Sequence, residues 1–375
     1  MSGPLQNLRI IEMTGLGPCP LAGQLLADLG AEVIVIDRKS GIADPTDINR
    51  RNKRSIALNL KSEQGLVIAK QLIADADILI EGFRPGVMEK LGLGPDSCHI
   101  ENPALIYGRM TGWGQTGPLA QTAGHDINYL SITGALSAIG KDKEPPIPPL
   151  NLAADYGGGT MFLLLGVLSA LFERSQSGKG QIVDAAMVDG VPAMMGLIHS
   201  WFAQKSWTTQ RESNLLDGGA PFYRCYETAD GKHLSVGPLE PHFFTEMVNL
   251  SGLPADEITT QYHQDQWPDK RETYQTVFKS KTREEWMALF DDTDACVAPV
   301  LDFNEVETHP HNAERENFIR VDGVLQAAPA PRFDRTPTAT PQTPTASGID
   351  GEVILQKMGY DRTEIEALRE LGVLT

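Results

Sequence analysis

The first 38 residues confine this chain to an open parallel sheet. LRIIEM (8–13) reads as a buried strand, and a Gly/Pro-rich turn follows it. QLLADLG (24–30) has helical spacing, and AEVIVIDR (31–38) is a second buried strand. Strand, turn, helix and strand within about 30 residues is the βαβ unit, whose crossover helix makes the two strands parallel. A helix over 63–74 and the strands ADILIEG (76–82) and ALIYGRM (104–110) repeat the theme. The fold class predicted for 1–205 is therefore α/β, a doubly wound, Rossmann-like parallel sheet. Further helices are predicted over 126–136, 160–174 and, rich in Met, 185–204, with a short strand at 181–183. Beyond Leu215 the pattern changes to short strands (FYRCYET, KHLSVGP) and helices (HFFTEMVNLSG, TREEWMALF), predicting a smaller α+β domain over 206–317. In 318–375, the proline-rich stretch 329–347 reads as an extended connector and 362–371 as a helix returning to the large domain.

Composition narrows the function. A net charge of −17 argues against a general nucleic-acid binder, which needs a basic face to displace counterions, and against an anionic membrane surface. Cys19, Cys98, Cys225 and Cys296 lie far apart and form no CxxC pair. That spacing gives neither a disulfide framework nor a metal site and points to a reducing, cytoplasmic setting. His309-Pro310-His311 has no nearby Cys and reads as a surface loop rather than a metal pair. The apolar stretch 161–172, interrupted by Gly166 and Ser169, is too short for a bilayer and reads as a buried helix.

The first βα turn, Gly15-Leu16-Gly17-Pro18-Cys19-Pro20, invites a dinucleotide reading, since Asp37 follows Gly15 by 22 residues (37 − 15). Pro20 stands where the third glycine belongs, and Pro18 removes a backbone donor, so a tight turn feeding a packed helix is preferred. The densest positive patch, Asn49-Arg50-Arg51-Asn52-Lys53-Arg54, reads either as a solvated loop or as a phosphate clamp. Arg38 at a strand end, with Arg84 and Lys90 in EGFRPGVMEKLGLG, adds cations where parallel sheets bind ligands.

Three stretches, NRRNKRSIALNLK, DILIEGFRPGVMEKLGLG and YGRMTGWGQTGP, resemble signatures of the family III CoA-transferases. GHDINYL (124–130), PPLNLAADYGGG (148–159) and LLDGGAPFY (215–223) are similar, more narrowly, to its α-methylacyl-CoA racemase branch. The similarity runs in order from the first strand to about Phe333. It implies a cofactor-free isomerase that inverts 2-methyl-branched acyl-CoA thioesters by 1,1-proton transfer through an enolate, CoA being part of the substrate. Such chemistry needs two groups on opposite faces of the α-carbon, one as base and the other as acid. By resemblance these are His125, at a helix start, and Asp155, ahead of the helix opened by Gly157-Gly158-Gly159, whose freed N–H groups would meet the enolate oxygen.

The resemblance also implies that Glu240 orients the histidine across an interlocked homodimer, and that Asp126, Tyr129 and Gly157 lie in the pocket. The CoA phosphates would fall to Arg38, Arg51, Lys53, Arg54, Arg84 and Lys90, the last standing where the branch more usually has arginine. The competing reading is a true family III CoA-transferase, with Asp155 as nucleophile moving CoA between carboxylic acids.

Overall fold

The computed structural model describes residues 2–375. Six strands form one parallel sheet: β1 (Arg9–Met13), β2 (Glu32–Asp37), β3 (Arg54–Ala57), β4 (Ile78–Glu81), β5 (Ile106–Thr111) and β6 (Gln181–Ala186). Their order is β3-β2-β1-β4-β5-β6, so the winding reverses between β1 and β4. A doubly wound sheet opens a ligand crevice beyond the strand carboxyl ends at that reversal. The strands are nearly continuous in Ile, Val and Leu because helices cover both faces. On one face Ile11, Ile34, Leu79 and Tyr107 pack with Ile68 and Leu72 of the helix Glu63–Ala74. That helix begins where Ser62 Oγ accepts the Gly65 N–H. The helices Gly351–Lys357 and Arg362–Glu370 add Ile354, Leu355, Ile365 and Leu368 to the same core.

The chain divides into two compact units, one comprising the chain up to Thr133, Leu150–Met194 and Pro310–Thr375, the other Gly134–Pro149 and Met195–His309. The second unit holds an antiparallel sheet of β7 (Arg224–Glu227), β8 (His233–Val236) and β9 (Val297–Val300). Its core is aromatic, with Phe222, Tyr226, Phe244, Trp267, Tyr274, Phe278 and Trp286 buried together.

These boundaries differ from the contiguous ones expected from sequence, because 134–149 and 195–205 join the second unit and 310–317 the first. The Met-rich helix is two helices, Met187–Met194 and Gly196–Ala203, the first containing Pro192. Residues 318–327 are a hairpin, β10 (Phe318–Val321) and β11 (Val324–Ala327), turning on Asp322-Gly323 with positive φ at both. The apolar stretch 161–172 lies in a longer helix, Met161–Ser177, continuous with a π-helical segment, Leu152–Thr160. By length and composition alone those 26 residues are enough to cross a membrane. The helix is not buried as expected: Leu163, Val167 and Ala170 are covered, while Leu165 and Phe172 are 61% and 71% exposed. One face packs on β5 and β6, and the opposite face stays apolar and open.

Candidate active site

Two clefts lie along the carboxyl edge of the large sheet. One, about 400 Å³, is lined by Thr14 after β1, Asp37 and Arg38 at the end of β2, Leu58 and Lys61 after β3, and Phe83. The other, about 230 Å³, is lined by Phe83 and Arg84 after β4, Thr111 and Trp113 at the end of β5, and His125 and Tyr129. Phe83 borders both, so they meet where the strand order reverses.

His125 is exposed and stands at the N-cap of the helix Asp126–Ile132, shorter than the sequence suggested. Its backbone N–H donates to Asn128 Oδ1 at 3.0 Å, which fixes the residue against the first turn. Tyr129, buried one turn on, donates its hydroxyl to the Gly124 carbonyl and meets the Trp113 ring edge-on, with centroids 4.8 Å apart. It lines the cleft, as the sequence implied.

Asp155 does not precede a helix. It sits within the π-helical segment, a form that tends to mark functional sites. Its N–H is taken by Asp126 Oδ2 at 2.8 Å, and the Tyr156 N–H by the Asn151 carbonyl, so those donors are not available to an enolate. The Asp155 carboxylate is half-buried, with Oδ2 3.5 Å from where a Cβ on Gly17 would stand. Gly17, at φ 73°, thus serves both the turn and the space beside Asp155. Thr160 Oγ1 donates to the Pro18 carbonyl at 2.9 Å, tying the same turn to the same segment. The turn therefore backs a carboxylate rather than cradling a pyrophosphate. Asp37 is likewise engaged, accepting from Arg50 and from Ser55 Oγ.

Electrostatics couple the two residues. Burial, and next the charge of Asp126, move the Asp155 carboxyl above its ordinary value, while a hydrogen bond from Asn151 and the charge of His125 pull it back. The Tyr129 hydroxyl is also raised, by burial and then by Asp155, with Arg84 opposing. His125, Asp155, Tyr129 and Arg84 therefore share one local field.

The other candidates divide sharply. Arg38 and Arg84 are exposed at the clefts. Lys90 is exposed on the short helix Val87–Lys90 but lines neither cleft. Arg54 pairs with Glu32 at 3.5 Å. Arg51 and Lys53 are buried and cannot clamp a phosphate. Arg51 is held by Asp28 at 2.6 Å, by Gln326 and by the Ala327 carbonyl, and Lys53 by Glu12 at 2.6 Å and the Pro20 carbonyl. Two pocket assignments change as well. A Cβ on Gly157 would meet Met194 Cε at 3.2 Å, and one on Gly190 the Gly158 carbonyl oxygen at 2.0 Å. The glycines therefore let the π-helical segment approach the helix Met187–Met194. Asp126 is buried, and its Oδ2 accepts the N–H groups of Ala154 and Asp155. Glu240, in the second unit, stands at the N-cap position of the helix Pro241–Ser251, and its charge, after burial in each case, raises the Tyr262 hydroxyl and the Cys296 thiol.

Sequence reasoning passed over Lys61 and Asn151. Lys61 follows β3 much as Arg38 follows β2, so strand position was a usable signal. Asn151 gave none, because its role depends on the π-helical winding.

The model of CoA-transferase family III matches residues 5–350. The α-methylacyl-CoA racemase of Homo sapiens is 44% identical over 368 residues, covering 97% of this chain and 96% of its own. The succinyl-CoA–D-citramalate CoA-transferase of Chloroflexus aurantiacus is 28% identical, covering 99% and 98%. A crystal structure of a CAIB/BAIF family protein from Brucella suis superposes with a TM-score of 0.82 at 22% identity, over 96% of this chain and 100% of that one, which speaks for the fold. With a family match over nearly its whole length and a full-length relative at 44% identity, the chain belongs to CoA-transferase family III.

Proposed function

We propose that this protein is an α-methylacyl-CoA racemase that interconverts (R)- and (S)-2-methylacyl-CoA, with His125 and Asp155 as the acid–base pair. The observation that carries this reading is a half-buried carboxyl group, raised in pKa, within electrostatic reach of a cleft-lining imidazole at a helix start. The thioester carbonyl acidifies the α-carbon. Neutral His125 takes that proton as the C–H electron pair moves into the enolate, and protonated Asp155 delivers its own proton to the opposite face. The pair ends as imidazolium and carboxylate, and the other enantiomer reverses the transfer. The first-turn N–H groups of Asp126 and Ile127 have no acceptor among the described residues and are suited to receive the enolate oxygen.

Arg38, Lys61 and Arg84 are the cations we assign to CoA, which belongs to the substrate, so the reaction consumes no cofactor. The open apolar face bearing Leu165 and Phe172 supports a homodimer. By the resemblance of its motif we assign Glu240 the part of orienting the imidazole across the homodimer. Four unpaired cysteines are in keeping with a cytoplasmic site. Transferase chemistry would use Asp155 as a nucleophile and needs no second base, so the cleft-lining imidazole of His125 favours the racemase reading. Incubating (S)-2-methylacyl-CoA with the protein in D₂O should place deuterium at the α-carbon and form the (R) ester. Absence of deuterium, together with CoA exchange onto added carboxylic acid, would overturn the assignment.

A further inference from the structure

Asp126 is a buried acid that follows His125 directly in the chain. It is only 9% exposed, and no ion pair reaches it among the described residues. Oδ2 accepts two backbone N–H groups, from Ala154 at 3.0 Å and Asp155 at 2.8 Å, while Oδ1 is buried without a partner among those residues. A buried carboxylate with half its acceptor capacity unused is costly, and a neutral side chain would meet the same two donors. Its placement supplies a reason. Asp126 follows His125 directly in sequence, and through one oxygen it holds the backbone of Asp155, 29 residues further on.

We propose that Asp126 is a positioning residue: its carboxylate sets the spacing of the imidazole and carboxyl groups by joining the segments that carry them, and its charge holds their shared proton. This rests on the racemase reading above. The joint matters because the two groups must flank one carbon atom from segments that are otherwise independent in sequence. A misplacement of about 1 Å costs on the order of 10²-fold in rate. The charge matters because the pair works with one proton between them. The charged groups acting on Asp155 are His125 and Asp126, with Tyr129 facing it and Arg84 acting on Tyr129. Of these, the charge of Asp126 is the one that acts to raise the Asp155 carboxyl.

Two variants separate joint from charge. Asp126→Ala removes both acceptors. The expected result is a kcat lowered about 10- to 100-fold for α-proton exchange, with KM for the CoA ester within about twofold, since the phosphate contacts lie elsewhere. Asp126→Asn keeps an acceptor oxygen but loses the charge. Its kcat at the optimum should stay within about 10-fold, while both limbs of the pH–rate bell move to lower pH. A merely structural role would leave the limbs in place. Wild-type kcat in Asp126→Ala, or an unmoved bell in Asp126→Asn, overturns the proposal. Should Asp126→Ala not fold, the Asn variant decides alone. Exchange in the wild type with either of those results sinks only the role of Asp126, whereas no exchange in the wild type sinks the racemase reading.

Discussion

One short run, Arg50 to Lys61, supplies cations of two kinds. Arg51 and Lys53 turn inward and meet Asp28 and Glu12, both buried, across the first βα unit. Lys61, past the end of β3, is exposed at a cleft and shares it with Arg38 from the end of β2. The difference teaches that charge density does not reveal availability in an acidic protein. Position relative to a strand end does, because cations before or within the sheet neutralise carboxylates that the fold has buried, whereas those beyond the strands face the ligand crevice.

The strongest way to break this contrast is Arg51→Ala. Removing one partner leaves Asp28 buried and uncompensated, a loss of about 3–5 kcal/mol, whereas Arg38→Ala should stay within about 0.5 kcal/mol of wild type. Urea unfolding of the two variants measures both, and equal stabilities would abolish the distinction. Next in size, His125→Ala should lower kcat for α-proton exchange by about 10²-fold or more, with an unfolding midpoint close to that of wild type. A loss of activity that merely tracked unfolding would place His125 with the structural group.

Much of this was legible in the chain, and the misses have physical causes. The sheet could be read because unbroken runs such as EVIVID are demanded wherever helices cover both faces. His125 and Tyr129 both line a cleft, and a helix start and its next turn are local features that a sequence can carry. Arg51 was misassigned because Gln326, which holds it, lies 275 residues away. Asp155 was put at a helix start because three glycines ordinarily break a helix. Here they instead permit close approach of the helix Met187–Met194, a tertiary fact that overrides propensity. The hairpin at Asp322-Gly323 was a missed local signal, two alternating runs around a turn that favours positive φ.

On the cleft side the contrast sharpens to affinity. Arg38→Ala and Lys61→Ala should each raise KM for the CoA ester about 3- to 10-fold, the scale of one charge-assisted hydrogen bond, with kcat unchanged. Arg54→Ala, whose partner is Glu32, should change neither. An effect on kcat from Arg38 or Lys61 would mean that they touch the reacting centre instead.

The smallest effect concerns the carboxylates of the two regions. Glu12 and Asp155 are both raised, Glu12 by burial with Lys53 pulling it back, Asp155 by burial and Asp126. For Asp155 the folded protein holds the proton more tightly than the unfolded chain does. Its contribution to stability is therefore full below the ordinary value of 3.8 and is lost as pH rises through the raised value. Asp155→Asn removes that titration. The melting temperature of the variant minus that of wild type should therefore increase from about pH 4 upward and level off once Asp155 is ionised in the native state. Because the group is only half-buried, the change is a fraction of the ~1.4 kcal/mol carried by each full pKa unit. A difference that stays constant with pH would mean that Asp155 titrates normally. Its surroundings would then place no pull on its proton, and the division between charges that serve the fold and charges that serve the ligand would lose its catalytic member.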